Sequence, residues 1–327
     1  MEERKKRYKK RGPRANRNNA TKISGGLADD FQVLNLDGEE EMNAVKNAVK
    51  IRTKKRRTRI EKSKKNKEGK KRGKLSLILL LICIGIFLFS GYQLYSILSE
   101  YKAGSDEYDT IIDSVVTSIG VEADDSVVSY EEYYIDFQEL KAQNADTIAW
   151  IRFDNPEQIN YPIMQGGDNE FYLRKTFQKE YNIVGSIFLD TNNDPTFQDT
   201  NTIIYGHNMK DGSMFSELKK YEKEEFYKKN PYYYIYTPDG KVAKYQVAAV
   251  EIIQETNLER YSFNFGSDEE YQEYIDVMLQ NSMYATGATV TTEDKITTLS
   301  TCTDDGSERL ILQGVRVEEK EMVQPKE

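Results

Sequence analysis

The amino-acid sequence predicts a mainly β domain, a barrel or a sandwich, that follows one membrane-spanning helix. Three observations lead to this prediction. Nine short apolar or β-branched runs follow one another from residue 148 onward, turn residues separate them, and residues 75–98 form one long apolar stretch. A chain of 327 residues has room for one large domain or two small ones beside such a helix.

The charge of the chain is divided along its length. Residues 1–74 carry 26 Lys and Arg against 10 Asp and Glu, whereas the rest carries 20 against 44. The basic runs at 1–22 and 51–74 hold few large apolar residues, so we expect a disordered tail or one that lies on anionic lipid headgroups. Residues 31–49 have enough apolar residues for a short helix. A nucleic-acid-binding arm is the alternative, although a position beside a membrane already explains the charge.

The apolar stretch at 75–98 predicts an uncleaved membrane anchor. It carries no charge, exceeds the roughly 20 residues that span a bilayer, and has Tyr92 and Tyr95 near one end. No small-residue cleavage site follows it. Because the basic flank lies on its N-terminal side, we expect residues 1–74 in the cytoplasm and 99–327 outside. A buried core helix is the alternative interpretation, but the stretch has no polar face.

Helical patterns flank the predicted strands. Residues 105–119 begin with a capping serine and acids, and residues 133–144 form a second apolar-periodic segment. Residues 213–229 are charged and helical, and 267–283 begin with a capping box just before the strand that carries Cys302. This last helix either frames a substrate groove or packs on the sheet. The predicted limits are a basic tail (1–74), an anchor (75–98), a linker with helices (99–147), a β domain (148–318) and a C-terminal tail (319–327).

The two cysteines differ in setting. Cys83 lies inside the predicted membrane span, where a small apolar thiol is ordinary. Cys302 is then the one cysteine of the exterior domain, so it either forms an intermolecular bond or is a reactive thiol. One histidine and one cysteine do not supply the usual zinc ligands, so we expect no metal and no cofactor.

Residues 297–317 are predicted to form a strand, a tight turn and a second strand. The turn chemistry of DDGS places Cys302 at the end of the first strand and Arg309 at the start of the second, where the two side chains can meet. A guanidinium beside a thiol favours the thiolate. The alternative role for Arg309 is a surface ion pair with Asp304, Asp305 or Glu308.

His207, the single histidine, ends the predicted strand NTIIYGH. Gly206 leaves space beside it and an exposed loop follows, although a lone histidine can also be a hydrogen-bonded structural residue. A thiolate that attacks an acyl carbon, an imidazole that moves a proton and a cation that stabilises the oxyanion together suit acyl transfer.

These residues resemble the sortase family, the cell-surface transpeptidases of Gram-positive bacteria. The resemblance rests on TLSTC followed closely by an arginine and on an upstream strand that ends in GHN. The segments INYPIMQGGDNEFYL, GSIFLD and GHNMKDGSMF are most similar to class B sortases, and the resemblance covers about residues 150–317. It implies an eight-stranded β-barrel with a groove on one face, N-terminal helices and a helix before the cysteine strand.

The resemblance also implies roles for individual residues. Cys302 would be the nucleophile, His207 the general acid and base, and Arg309 the group that stabilises the oxyanion. The residues implied to contact the substrate are Asn169, Leu173, Ser300 and Thr301. The short, doubly acidic loop between Cys302 and Arg309 and the long basic tail depart from the class B pattern.

The implied reaction cuts a sorting signal after threonine and passes the thioacyl group to an amine. The expected partners are surface proteins that carry the signal, a peptidoglycan-precursor or cross-bridge amine or a pilin lysine, and membrane lipid, with no nucleic acid. Two alternatives remain open: a cysteine peptidase that releases the acid to water, and a non-enzymatic surface-display or adhesion protein.

Overall fold

The computed structural model describes residues 38–119, 133–303 and 306–325. The chain divides into two compact units, Met1–Ile84 and Gly85–Glu327. The described part of the first unit is helical, and it belongs to helix α1, Gly38–Val115. Within α1, Ser76–Val115 is long and apolar enough to cross a membrane, judged by its length and composition.

The predicted disorder at 51–74 is wrong, because these residues lie within α1. Lysine, arginine and glutamate have good helix propensity, so a segment that cannot bury a core can still form a helix. The basic run at 1–22 and the first part of the weak helix at 31–49 lie outside the described residues. The domain limits proposed from the sequence remain predictions.

The predicted helix start at Ser105 is also wrong, because α1 continues through this position to Val115. Gly104 does not break the helix. A Cβ there would lie 3.0 Å from Cγ2 of Val184, so the glycine permits close packing in the second unit. Tyr108, farther along the helix, is buried and donates a 2.8 Å hydrogen bond to the carbonyl of Gly185.

The segment at 133–144 is only partly helical. Strand β1, Val116–Ser118, pairs antiparallel with β2, Tyr133–Ile135, and helix α2, Phe137–Gln143, follows. Asp136 ends the strand and caps the helix, since its Oδ1 accepts a 2.9 Å hydrogen bond from the main-chain N–H of Glu139.

Eight further strands form a closed barrel, as predicted. They are β3 (Thr147–Arg152), β4 (Asn160–Met164), β5 (Ile187–Leu189), β6 (Asn201–Tyr205), β7 (Tyr232–Thr237), β8 (Lys241–Gln254), β9 (Ile296–Cys302) and β10 (Glu308–Glu321). Their spatial order is β10-β8-β7-β3-β4-β5-β6-β9. The β4–β5 and β6–β9 pairs are parallel and the others are antiparallel.

Of the nine runs that the sequence predicts as strands, ATVTT at 288–292 is the exception, because these residues form no strand. The barrel is closed through the β9–β10 pair, so it has no free edge for another strand. Val290 is instead buried in an apolar cluster with Ala248 and Ile296.

The helices between the barrel strands match the sequence patterns. A 3₁₀ turn at Ser216–Glu222 and helix α3, Glu224–Lys229, occupy the charged segment at 213–229. Helix α4, Asp268–Asn281, precedes the cysteine strand, and the Oγ of Ser267 caps it by accepting a 3.3 Å bond from Glu270 N–H. The buried side chains of α4 pack against the barrel, which favours the packing interpretation: Tyr271, Tyr274, Ile275 and Met278.

Candidate active site

Cys302 and Arg309 stand opposite each other in the ladder between β9 and β10. The Nη1 atom of Arg309 donates a 3.1 Å hydrogen bond to the carbonyl of Glu308, and its Nη2 lies 3.3 Å from a carboxylate oxygen of Glu255. The ion pair therefore involves Glu255, while Glu308 contributes its main chain. Asp304 and Asp305 lie outside the described residues.

The residues after β6 carry His207 to the end of β9. Because β6 runs parallel to β9, Tyr205 stands opposite Ser300. The N–H of Gly206 donates a 3.1 Å bond to the Ser300 carbonyl, and Nδ2 of Asn208 donates a 2.9 Å bond to the Cys302 carbonyl. His207 is therefore held between two anchors on the cysteine strand.

The imidazole of His207 has a defined orientation. Its Nε2 donates a 2.7 Å hydrogen bond to the main-chain carbonyl of Leu173, which leaves Nδ1 as the ring nitrogen available for proton exchange. Burial lowers the pKa of His207 below its usual 6.5; the bond to Leu173 opposes this shift, and the charge of Arg174 adds to it.

Glycines make room around this imidazole. The sequence suggests that Gly206 leaves open space beside His207. A Cβ on Gly206 would lie 2.6 Å from the ring of Phe215, so Phe215 occupies this space. Gly185 has φ of +60°, and a Cβ there would lie 2.7 Å from the Leu173 carbonyl and 3.1 Å from Cδ2 of His207. The side chain at 185 must therefore be absent for the histidine to keep its acceptor.

A cavity of about 200 Å³, here called the groove cavity, brings most of the predicted site residues together. Phe188 and Tyr205 add aromatic side chains to its lining. The sequence-predicted residues among its lining are Leu173, His207, Ser300, Thr301, Cys302 and Arg309.

Asn169 is not among the residues that line the groove cavity. Its Nδ2 donates a 2.8 Å bond to Oδ2 of Asp190, and its Oδ1 accepts a 2.8 Å bond from Thr191 N–H. The Tyr205 hydroxyl donates a 3.0 Å bond to the same Asp190 oxygen. Asn169 is thus connected to the cavity only indirectly, by hydrogen bonds through Asp190 to Tyr205, which lines it.

Sequence reasoning missed several residues near the thiol. The hydroxyls of Tyr261 and Ser300 lie 2.9 Å apart, and the rings of Tyr261 and Tyr205 lie 6.0 Å apart. Strand alternation could have indicated Tyr205, which precedes His207 by two residues. Tyr261 ends the 3₁₀ turn Leu258–Tyr261, and no local pattern links it to Cys302.

A thiol, an oriented imidazole and a guanidinium that line one cavity at the rim of a β-barrel define a site suited to cysteine-based acyl transfer. Among the residues that the structure describes, no group of three or more His, Cys, Asp or Glu side chains could hold a metal ion. The chemistry that these residues can supply is nucleophilic and acid–base.

Comparison with known proteins identifies the family. The sortase domain matches residues 155–317. Sortase B of Listeria monocytogenes is 34% identical over 241 residues, which is 72% of this chain and 94% of the relative. Sortase B from Bacillus anthracis superposes with a TM-score of 0.57 at 32% identity, over 68% of this chain and all of that one. A Staphylococcus aureus sortase B–substrate complex gives 0.53 at 31%, over 56% and 84%.

The chain therefore belongs to the sortase family of cysteine transpeptidases, and its relatives are class B sortases. The resemblance drawn from TLSTC and GHN is confirmed, as is the mainly β fold with an eight-stranded barrel.

Proposed function

We propose that this chain is a membrane-anchored cysteine transpeptidase that cuts a C-terminal sorting signal after threonine and joins the protein to a cell-wall amine. The observation that carries the proposal is the meeting of Cys302, His207 and Arg309 at one cavity. The Staphylococcus aureus sortase B solved as a substrate complex supports a substrate-binding site here.

In the first half-reaction, the Cys302 thiolate attacks the threonine carbonyl carbon. Arg309 stabilises the oxyanion that forms, because it is the ladder partner of Cys302 and lines the same cavity. The C–N bond then breaks, and the leaving amine takes a proton from the His207 imidazolium. The products are a thioacyl-enzyme, a free amine and a neutral imidazole.

In the second half-reaction, an amine attacks the thioester carbon. A C–N bond forms, the C–S bond breaks, and its electron pair returns to the sulfur of Cys302. The amine gives one proton to His207, which restores the starting pair. We propose that Leu173, Ser300 and Thr301 contact the sorting signal from the cavity wall, and that Asn169 acts by holding Asp190 and Tyr205 in place.

We further propose a single-pass arrangement with the N-terminus in the cytoplasm. It rests on the apolar part of Ser76–Val115, whose side chains are exposed, and on the basic residues that precede it. Protease protection of residues 1–74 in right-side-out vesicles would test this topology, and digestion of this segment there would contradict it.

The decisive experiment uses the full chain in detergent with a library of quenched fluorescent pentapeptides, with and without an amine such as triglycinamide. Mass spectrometry identifies the products. A cut after threonine with amine-dependent ligation supports the transpeptidase, whereas a cut that yields only the acid supports the peptidase. Cys302→Ala should abolish both products, and His207→Ala should lower the rate at least about 100-fold.

Thiol reactivity tests the non-enzymatic alternative. In a Cys83→Ser background, alkylation reports on Cys302 alone, since the chain has two cysteines. No peptide cleavage together with slow alkylation of Cys302 would favour a surface-display or adhesion protein.

A further inference from the structure

The end of α1, beyond the apolar stretch at 75–98, packs against the turn that leads into β5. Three residues spaced by four, Glu100, Gly104 and Tyr108, carry the contacts and therefore share one face of the helix. The Glu100 carbonyl accepts a 3.0 Å hydrogen bond from Nδ2 of Asn182. A Cβ on Gly104 would lie 3.0 Å from Val184, and Tyr108 is 3% exposed. This face of the helix is thus shaped to fit the turn before β5.

Tyr108 holds the end of this turn that lies beside the histidine. Its hydroxyl donates a 2.8 Å hydrogen bond to the Gly185 carbonyl and lies 3.0 Å from Oγ of Ser186. The Cβ position of Gly185 lies 2.7 Å from the Leu173 carbonyl and 3.1 Å from Cδ2 of His207. Gly185 therefore contacts the helix hydroxyl on its own carbonyl and the imidazole through its Cα.

The same turn is tied to the segment that supplies the hydrogen-bond acceptor of the histidine. The N–H of Ser186 donates a 3.0 Å bond to the Tyr172 carbonyl, and its Oγ donates a 2.8 Å bond to the Lys175 carbonyl. These two bonds bracket Leu173, whose carbonyl accepts the 2.7 Å bond from Nε2 of His207. A displacement of the turn therefore displaces the acceptor that orients the imidazole.

We propose that Tyr108 is a positioning residue for the acid–base step. It fixes the turn before β5, so that the Leu173 carbonyl stays in place for Nε2 of His207 and Nδ1 remains free to exchange the proton. When this acceptor is displaced, the neutral imidazole can carry its proton on Nδ1, and that form accepts no proton there. Tyr108 is not among the described lining residues of the groove cavity, so it acts through Gly185 and Leu173. This inference rests on the proposed transpeptidase function.

The tautomer of the neutral imidazole tests the inference without any need for turnover. Labelling the untagged full chain with ¹⁵N-histidine, in detergent, reports on the ring nitrogens of His207 alone, since the chain has one histidine. At a pH well above its pKa, the unaltered chain should show mainly the form protonated at Nε2. Tyr108→Phe keeps the ring and removes the hydroxyl. It should raise the ratio of the Nδ1–H to the Nε2–H form about fivefold, the factor that one neutral hydrogen bond supplies.

Tyr108→Phe should also lower kcat/KM for peptide cleavage about fivefold, because a misplaced imidazole transfers its proton less readily. Tyr271→Phe is the matched control. Tyr271 is 2% exposed on α4, and its hydroxyl donates a 2.9 Å bond to the main-chain carbonyl of Asp294. This carbonyl precedes β9, at the opposite end of that strand from Cys302. Both substitutions should lower the unfolding midpoint, but Tyr271→Phe should leave the tautomer ratio and kcat/KM unchanged.

Ser186→Ala gives a second route to the same result, because it removes the bond to the Lys175 carbonyl and leaves α1 unaltered. It should change the tautomer ratio in the same direction. Ratios in Tyr108→Phe and Ser186→Ala equal to that of Tyr271→Phe would overturn the inference and leave the proposed function in place. A changed ratio in Tyr108→Phe without a fall in kcat/KM would overturn it too. Absence of cleavage by the unaltered chain would instead overturn the proposed function, and with it a role for Tyr108 in the reaction.

Discussion

Nε2 of His207 donates a 2.7 Å hydrogen bond to the main-chain carbonyl of Leu173. The two residues are 34 positions apart, and Gly185 lies against both of them. This contact fixes which ring nitrogen carries a proton in the neutral imidazole. The orientation of the proposed acid–base group therefore depends on a carbonyl and a glycine that no motif around Cys302 indicates.

Gly185→Ala should disturb the histidine more than it disturbs the fold. The new Cβ would lie 2.7 Å from the Leu173 carbonyl, at a residue with φ of +60°. We expect a loss of at least about 2 kcal/mol in the free energy of unfolding and a fall in peptide cleavage of about tenfold. Denaturant unfolding followed by fluorescence of Trp150, the single tryptophan, measures the first quantity.

Gly287→Ala is the control for this substitution. Gly287 has φ of +73°, but nothing lies within 4 Å of the Cβ position. It should cost about 1 kcal/mol from backbone strain alone and leave cleavage unchanged. Equal effects of the two substitutions on cleavage would show that the contact with Leu173 and His207 has no part in activity.

The stability of the barrel should decrease as the pH falls below about 6.5. Burial lowers the pKa of His207 in the folded state, so below 6.5 the unfolded chain binds a proton that the folded chain does not. Unfolding therefore becomes easier from 6.5 down to the folded pKa, and this slope should be missing in His207→Gln. Because the untagged chain has one histidine, NMR titration of its imidazole gives the folded pKa directly. A value at or above 6.5 would contradict the prediction.

Strand alternation and turn residues predicted the barrel because each strand is a local pattern with one buried face. The errors have a different origin. ATVTT at 288–292 has the composition of a strand, but the closed sheet offers it no edge. Gly104 and Ser105 look like a helix boundary in isolation, whereas both lie inside α1, where the glycine leaves room for Val184.

The positions of the thiol and the imidazole were also predictable, because TLSTC and GHN place them at or just beyond strand ends. The residues that surround them were not predictable. Tyr261 and Glu255 reach Ser300 and Arg309 from the segment after β8, at separations that no local pattern spans. The sequence assigned Asn169 to the groove, but its side chain is engaged by Asp190.

Arg309→Ala should lower kcat/KM for peptide cleavage by about 100-fold or more, since it removes the cation opposite Cys302. Arg309→Lys keeps a charge but loses the planar fork that spans Glu255 and the Glu308 carbonyl, so it should recover only part of the rate. Arg316→Ala is the control, because Arg316 lies on the same strand but away from the thiol and pairs with Glu319 at 2.9 Å. Cleavage by Arg309→Ala at the rate of Arg316→Ala would remove Arg309 from the mechanism.

Two carboxylates near the site should differ sharply in their effect on stability. Glu251 is 4% exposed, lies 3.3 Å from Nε of the equally buried Arg260, and has its pKa raised by burial against the opposing effect of that arginine. Glu251→Gln leaves the Arg260 guanidinium buried without a counter-charge, which should cost on the order of 3 kcal/mol. Glu255, which pairs with Arg309, is 66% exposed, so Glu255→Gln should change stability by less than about 1 kcal/mol.

Unfolding of both variants, followed by Trp150 fluorescence at pH 7, measures this difference under one condition. The contrast is expected because water can replace the partner of an exposed charge but does not reach a buried one. Peptide cleavage adds a second distinction. Glu255→Gln should alter the cleavage rate through Arg309 without lowering the unfolding midpoint. Glu251→Gln should lower the unfolding midpoint. Equal midpoints for the two variants would mean that Arg260 finds another counter-charge, and that the buried pair does not hold this side of the barrel together.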